Sequence, residues 1–272
     1  MNEINRKEIM KYIFDEVSKR YDNPYLRFFI TSSKSMVSKL NLKGNERVLD
    51  IATGTGHTAL EIAKKLPNGE VIGIDYSNGM LRVAREKAKS MNISNVNFRE
   101  MDMEEINFQS NSFDIALCSF AIFFADDMIQ LLQNIVSKVK KNGKIMITTF
   151  SEGFLQPCMG LFHERLKKFG IYVPSKMPSQ RVIKKEQCKE LFKKVGLKQI
   201  IITQEQHGFF IENSENWWEL INGSGSSGYI KNLPKKKLED FKKEHFNEIN
   251  NLASKQGIWV EVGVLYTLGK KL

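Results

Sequence analysis

Three aspartates around a glycine-rich turn are the residues best suited to chemistry. Asp50 stands four positions before Gly54 in Arg47-Val-Leu-Asp-Ile-Ala-Thr-Gly-Thr-Gly56, Asp75 closes Val71-Ile-Gly-Ile-Asp75, and Asp102 follows Val96-Asn-Phe98. Gly54-x-Gly56-x-x-Ala59 allows a tight turn and close approach of a ligand to the backbone, as dinucleotide-binding turns do. The acids narrow the choice. Asp75 suits a ribose diol, and Asp102 can accept from an exocyclic adenine amine. Asp50 beside the turn attracts a cation by several kcal/mol at an effective dielectric of about 20, and repels a pyrophosphate by a similar amount.

S-adenosylmethionine carries a sulfonium and an ammonium, so it fits this trio better than NAD, which stays open as an alternative. The elements that must position the acids follow from periodicity. Apolar runs at 47–51, 71–74, 96–98, 113–118 and 144–150 read as strands. Between them lie stripes of helical period: Leu60, Ala63 and Leu66; Met80, Val83, Ala84, Ala88 and Met91; Met128, Leu131, Leu132, Ile135 and Val139. This alternation predicts an α/β fold, Rossmann-like and doubly wound, with right-handed crossovers and a parallel sheet covered on both faces. In such a sheet the carboxyl ends of the strands border one crevice, where all three acids converge.

The rest of the chain is read as cover. Ile9, Ile13 and Val17 give a helical start, interrupted near Pro24. After Phe150 come a helix near Leu161–Phe169, a loop from Pro174 to Pro178, a stripe of Cys188, Leu191, Phe192 and Val195 ended by Gly196, and a strand at Ile200–Thr203. Trp217-Trp218, a Gly/Ser turn and a lysine-rich helix follow, and Trp259–Leu268 reads as one last strand. The expected organisation is a single domain: 1–45 an N-terminal helical cap, 46–150 the cofactor-binding core, 151–256 substrate-side insertions, and 257–272 the last strand.

Composition excludes several classes. The 272 residues are 42% hydrophobic and 26% charged, which rules out a wholly disordered or collagen-like chain. The longest nearly uncharged apolar stretch, Ile115–Ala125, falls short of the roughly 20 residues a spanning helix needs. The charged opening residues lack an apolar run behind them, so no secretory signal is expected. Three widely spaced cysteines suggest free thiols in a reducing cytoplasm, and no metal-ligand spacing is present. The net charge of +10 divides as +3 over residues 1–150 and +7 over 151–272. The later lysines alternate with Glu239, Asp240, Glu244 and Glu248, as on a solvated helix face.

Val48-Leu-Asp-Ile-Ala-Thr-Gly-Thr-Gly56, Gly73-Ile-Asp-Tyr-Ser77, Glu100-Met-Asp-Met103, Phe113-Asp-Ile-Ala-Leu-Cys118 and Lys141-Asn-Gly-Lys-Ile145 occur in order. Together they resemble the successive motifs of the class I S-adenosylmethionine-dependent methyltransferases, in the branch that includes the ubiquinone/menaquinone biosynthesis enzymes. The resemblance covers residues 40–150 closely and implies a seven-stranded sheet ordered 3-2-1-4-5-7-6 with strand 7 antiparallel. It also implies that Asp50, Ala52, Gly54 and Gly56 line the methionine end of the cofactor. Asp75 would hold the ribose, Tyr76 and Met80 would pack near the adenine, Asp102 and the Met103 amide would bind the base, and Cys118 would lie near the sulfonium. After strand 4 the chain reads Ser119-Phe-Ala-Ile-Phe-Phe124 and departs from the quinone enzymes, which carry a Gly and an Arg-Asn pair there.

Methyl transfer from a sulfonium needs alignment above all, and a base only where the nucleophile must lose a proton. Tyr21, His163 and His207 are the candidate proton acceptors. Phe123, Phe124, Phe154, Phe162, Trp217 and Trp218 suggest an aromatic enclosure for the acceptor. The expected activity is transfer to a small aromatic or lipophilic acceptor, leaving S-adenosylhomocysteine. RNA methylation, an NAD-dependent oxidoreductase and a non-catalytic binder are the alternatives.

Overall fold

The structure, a computed structural model, describes residues 6–272; residues 1–5 of the expected N-terminal cap lie outside the described residues. The chain opens with helices α1 (Arg6–Val17) and α2 (Phe28–Ser38). The alternating part follows as β1 (Arg47–Ile51), α3 (His57–Ala63), β2 (Glu70–Asp75), α4 (Asn78–Ser90), β3 (Val96–Glu100), β4 (Phe113–Ser119), α5 (Met128–Lys138) and β5 (Val139–Phe150). Then come α6 (Cys158–Lys168), α7 (Lys185–Lys194), β6 (Lys198–Gln206), β7 (Phe209–Ile211), α8 (Ser214–Asn222), α9 (Lys235–Asn250), β8 (Ile258–Val260) and β9 (Gly263–Lys270).

Seven strands form one sheet in the order β3-β2-β1-β4-β5-β9-β6. The first five are parallel, and β9 runs antiparallel to both β5 and β6. This is the expected order, with β9 as its seventh member. The stretch expected as one last strand divides. Residues 258–260 leave the sheet to pair with 209–211 in a separate ribbon, and the sheet strand starts at Gly263. Between them the Glu261 carbonyl accepts from the Leu155 N–H at 2.8 Å, and the Val262 carbonyl from the His207 N–H at 2.8 Å. The ladder is therefore interrupted by bonds to loops on either side.

Successive strand residues face opposite sides of the sheet, and the core follows that period of two. Val48, Val71, Ile115 and Leu117 meet α2, α3 and α4 on one face. Leu49, Ile51, Ile74, Ala116 and Cys118 meet α5 and α7 on the other. Asp50, between Leu49 and Ile51, therefore belongs to the α2/α3 side. Helix α9 turns Phe241, His245 and Ile249 inward and leaves Lys235, Lys236, Lys237 and Lys243 outside, while Lys242 lies half-buried over the Trp218 ring.

Candidate functional site

The turn after β1 opens the site. Gly54 has φ +55°, in the left-handed region, and a Cβ there would meet nothing within 4 Å, so this backbone face is open. Gly56 serves packing instead: its Cβ would lie 3.0 Å from both Ala84 and Phe98, and it does not border the crevice. Asp75 braces the turn, accepting from the Gly54 N–H at 2.8 Å and the Ser77 N–H at 2.9 Å. Ala52, Gly54, Asp75, Tyr76, Met80, Asp102 and Met103 all border the crevice with Asp50.

Asp50 is buried, and its Oδ2 accepts from the Thr53 hydroxyl at 2.5 Å. Its Oδ1 is buried with no hydrogen-bond partner among the described residues. Burial raises its pKa to about 7; the Thr53 hydroxyl and the Ala59 N–H offset this in part, and the Asp75 charge adds to it. A buried acceptor without a donor costs about 1–3 kcal/mol, so this corner of the crevice favours a ligand that brings a donor, above all a cationic one. Burial raises the Asp75 carboxyl as well.

Helix α1 straps the mouth of the crevice. Lys7 Nζ lies 2.6 Å from Asp102 and 2.9 Å from Glu104, and the Tyr76 hydroxyl donates to Glu8 at 2.5 Å. At the helix's far end Asp15 accepts from the Ser77 hydroxyl at 2.6 Å and the Gly79 N–H at 2.7 Å, fixing α1 to the start of α4. A second tie joins the cap to the glycine turn. Asp22 accepts from the Thr55 hydroxyl at 2.6 Å, lies 2.7 Å from His57 Nε2, and pairs with Lys87 at 2.8 Å. Burial opposes ionisation of Asp22, but His57, Lys87 and Thr55 hold its carboxyl well below the usual range. Neither tie is legible in the sequence, where charged positions on a helix resemble any wet face.

A second cavity of about 620 Å³ adjoins the first. Met10, Phe14, Tyr21, Phe29, Phe120 and Phe124 border both, forming an aromatic collar between them. Phe120 holds its place at φ +53°, its N–H bonded to the Thr148 carbonyl at 3.0 Å and its ring stacked on Phe150 at 4.5 Å. Of the expected enclosure, Phe123, Phe124 and Phe154 line this cavity. Phe162, Trp217 and Trp218 do not, which corrects the expectation. Phe162 packs edge-on against Phe241, Trp218 lies against Phe241 and Phe246, and the Trp217 Nε1–H donates to His245 Nε2 at 3.0 Å.

The three candidate bases separate. Tyr21 sits in the collar, its pKa raised well above the ordinary value by burial and by the Asp75 and Asp22 charges, so the phenol stays protonated. His163 lines only the second cavity. His207 borders neither: its Nδ1 is 3.0 Å from the Thr31 hydroxyl and its Nε2 2.7 Å from the Tyr266 hydroxyl, which fixes it at the far edge of the sheet. Cys118 also misses the crevice, because strand alternation turns it into the α5 side of the core. There burial and the Asp50 charge push its thiol up to about 12.

A family model described as a methyltransferase domain matches residues 42–212. The ubiquinone/menaquinone biosynthesis C-methyltransferase UbiE of Citrifermentans bemidjiense is 36% identical over 162 residues, which span 57% of this chain and 69% of that protein. The aklanonic acid methyltransferase DauC of Streptomyces sp. strain C5 is 30% identical over 150 residues, 55% of this chain and 68% of that one. The fold is similar to that of the YcgJ protein from Bacillus subtilis, with a TM-score of 0.61 and 22% identity over 89% of this chain and 98% of that one. The matched span takes in β1 through β7, and with it the whole glycine turn and all three aspartates. The chain belongs to the class I S-adenosylmethionine-dependent methyltransferases and is an enzyme of that cofactor.

Proposed function

We propose that the enzyme methylates an uncharged, apolar, ring-bearing small molecule held in the second cavity. The observation that carries this reading is the lining of that cavity. Eight phenylalanines border it, and its one charged side chain among the described residues is Glu152, exposed and 3.3 Å from Lys184. In a chain of net charge +10, no lysine or arginine among the described residues lines the cavity. A carboxylate, phosphate or nucleic-acid acceptor would lose its hydration there without gaining a counter-ion, a cost of several kcal/mol. This favours a small molecule over RNA, and the exposed lysines of α9 support that choice by standing among glutamates.

The cofactor supplies a methyl group already activated on a sulfonium. Asp50, with its unpaired oxygen, suits the ammonium end, and open Gly54 leaves room for the backbone of the ligand. Asp75 suits the ribose hydroxyls, Asp102 and the Met103 N–H the base, and Tyr76 and Met80 its faces. The collar then aligns the acceptor atom with the methyl carbon. A bond from that atom forms as the carbon–sulfur bond breaks, and alignment of this kind contributes as much as about 7–11 kcal/mol. Among the described collar residues none is a histidine or carboxylate, and Tyr21 is protonated. A proton on the acceptor therefore leaves to water rather than to the enzyme. Three buried thiols accord with a cytoplasmic setting.

The test is methyl transfer from labelled S-adenosylmethionine to fractionated cell extract. Label in the neutral, solvent-extractable fraction is expected. Label confined to RNA, or to acidic metabolites, would contradict the reading.

A further inference from the structure

Several polar groups around the second cavity are engaged within the protein. Gln180 Oε1 accepts from the Met177 N–H at 2.9 Å, the Ser224 hydroxyl donates to the Ile221 carbonyl at 3.0 Å, and the Tyr229 hydroxyl donates to Met177 Sδ at 3.5 Å. His163 differs. Its Nε2 is buried and has no hydrogen-bond partner among the described residues, while its ring borders the cavity near Tyr229, centroids 6.5 Å apart. Such an atom in a native fold calls for a partner from outside the chain. His163 lies away from the collar, bordering the second cavity alone, so that partner belongs to the end of the acceptor remote from the methylated atom.

The helix that carries His163 is firmly held. One residue before it, Phe162 is fully buried against Phe241 and His245. Two residues after it, Arg165 pairs with Glu244 and Glu248 of α9. A side chain on so fixed an element can select among ligands without reorganising.

Resting on the reading of this cavity as the acceptor site, we propose that His163 is its specificity-determining residue, hydrogen-bonding a carbonyl or hydroxyl oxygen at the acceptor's distal end. Burial and the nearby Lys167 charge lower the pKa of His163, with Glu164 opposing, so the ring is neutral and offers one donor and one acceptor nitrogen. Either oxygen type is served by choice of tautomer. A distal carboxylate is not, since no lysine or arginine among the described residues lines the wall.

Three probes of one shape separate the possibilities: 2-naphthol, naphthalene-2,6-diol and 6-hydroxy-2-naphthoate, titrated calorimetrically into protein saturated with S-adenosylhomocysteine. The wild type should bind the diol about fivefold to tenfold more tightly than 2-naphthol, the worth of one hydrogen bond, and the naphthoate most weakly. His163→Phe should erase the preference for the diol and leave 2-naphthol affinity and the melting temperature unchanged. His163→Gln should restore part of the preference. Equal affinity of the wild type for diol and naphthol, as when a trapped water satisfies Nε2, would overturn the proposal. So would equal weakening of both ligands by His163→Phe. Normal binding of S-adenosylhomocysteine with none of the three probes bound would instead overturn the acceptor-cavity reading beneath it.

Discussion

Asp75 and Asp50 lie at the carboxyl ends of neighbouring parallel strands, the last residue of β2 and the last but one of β1, yet their carboxylates do different work. Asp75 has both oxygens engaged by backbone N–H groups, so its first task is to shape the turn that receives the cofactor. Asp75→Asn would turn one of those acceptors into a donor facing a donor. Affinity for S-adenosylhomocysteine should fall by roughly tenfold to a hundredfold, measured by calorimetry, while the melting temperature moves little. Tyr21 makes the opposite case. Its phenol is already protonated throughout the physiological range, so Tyr21→Phe should leave the shape of the pH–rate profile intact. A rise of rate with pH in the wild type that is lost in Tyr21→Phe would show that Tyr21 does accept the proton. These roles are unevenly legible in the sequence. The aspartates announce themselves because each lies in or just after a short strand-like run: Asp50 within the first, Asp75 closing the second, and Asp102 after the third. Phe162, Trp217 and Trp218 read the same as Phe123 and Phe154 along the chain, and only their neighbours Phe241 and His245 show that they fill core.

At the scale of elements, α1 is the part whose function the sequence hides. Its apolar spacing shows a helix, but nothing in that spacing shows that Lys7 reaches Asp102 or that Asp15 seats on α4. Asp15→Ala leaves the Gly79 N–H without its acceptor and frees one end of the strap. Hydrogen exchange should quicken over residues 6–17, and S-adenosylhomocysteine should dissociate several-fold faster with the central strands as protected as before. Unchanged exchange over α1 would show that the strap does not depend on this contact. Strands β1, β2, β4 and β5 are readable because each contains a buried run closed by turn residues, and β3 through Val96 and Phe98 alone. The end of the chain is not, because Trp259–Leu268 alternates as one strand and divides only through bonds from Leu155 and His207, remote in sequence. Helices α6, α8 and α9 pack on one another, and there Trp217→Phe would leave His245 Nε2 unpaired. That change should cost about 1–3 kcal/mol, seen as a lowered melting temperature, with cofactor affinity untouched.

For the molecule as a whole, charge is the organising quantity. Asp15, Asp22, Asp114, Glu205 and Glu248 are all held below their ordinary values: burial opposes this in each, and hydrogen bonds and nearby cations outweigh it. Their contribution is complete above the unfolded carboxylate range, about pH 4, and is lost as pH falls through the lower folded values. The stability that these five carboxylates supply should therefore be lost only below about pH 4, where the melting temperature should fall more steeply. Asp50 has the reverse sign, its folded pKa raised to about 7 by burial in the crevice of a chain whose net charge is +10. A cation bound beside it must find the carboxylate ionised. The affinity of S-adenosylhomocysteine, measured by calorimetry from pH 7.5 down to 5, is the direct test. On the order of a 50-fold loss toward pH 5 is expected in the wild type. In Asp50→Asn, binding should be weak at every pH and its profile flat. Wild-type binding indifferent to pH, or binding by Asp50→Asn as tight as the wild type's, would contradict a site built around a buried carboxylate and the ammonium group of its guest.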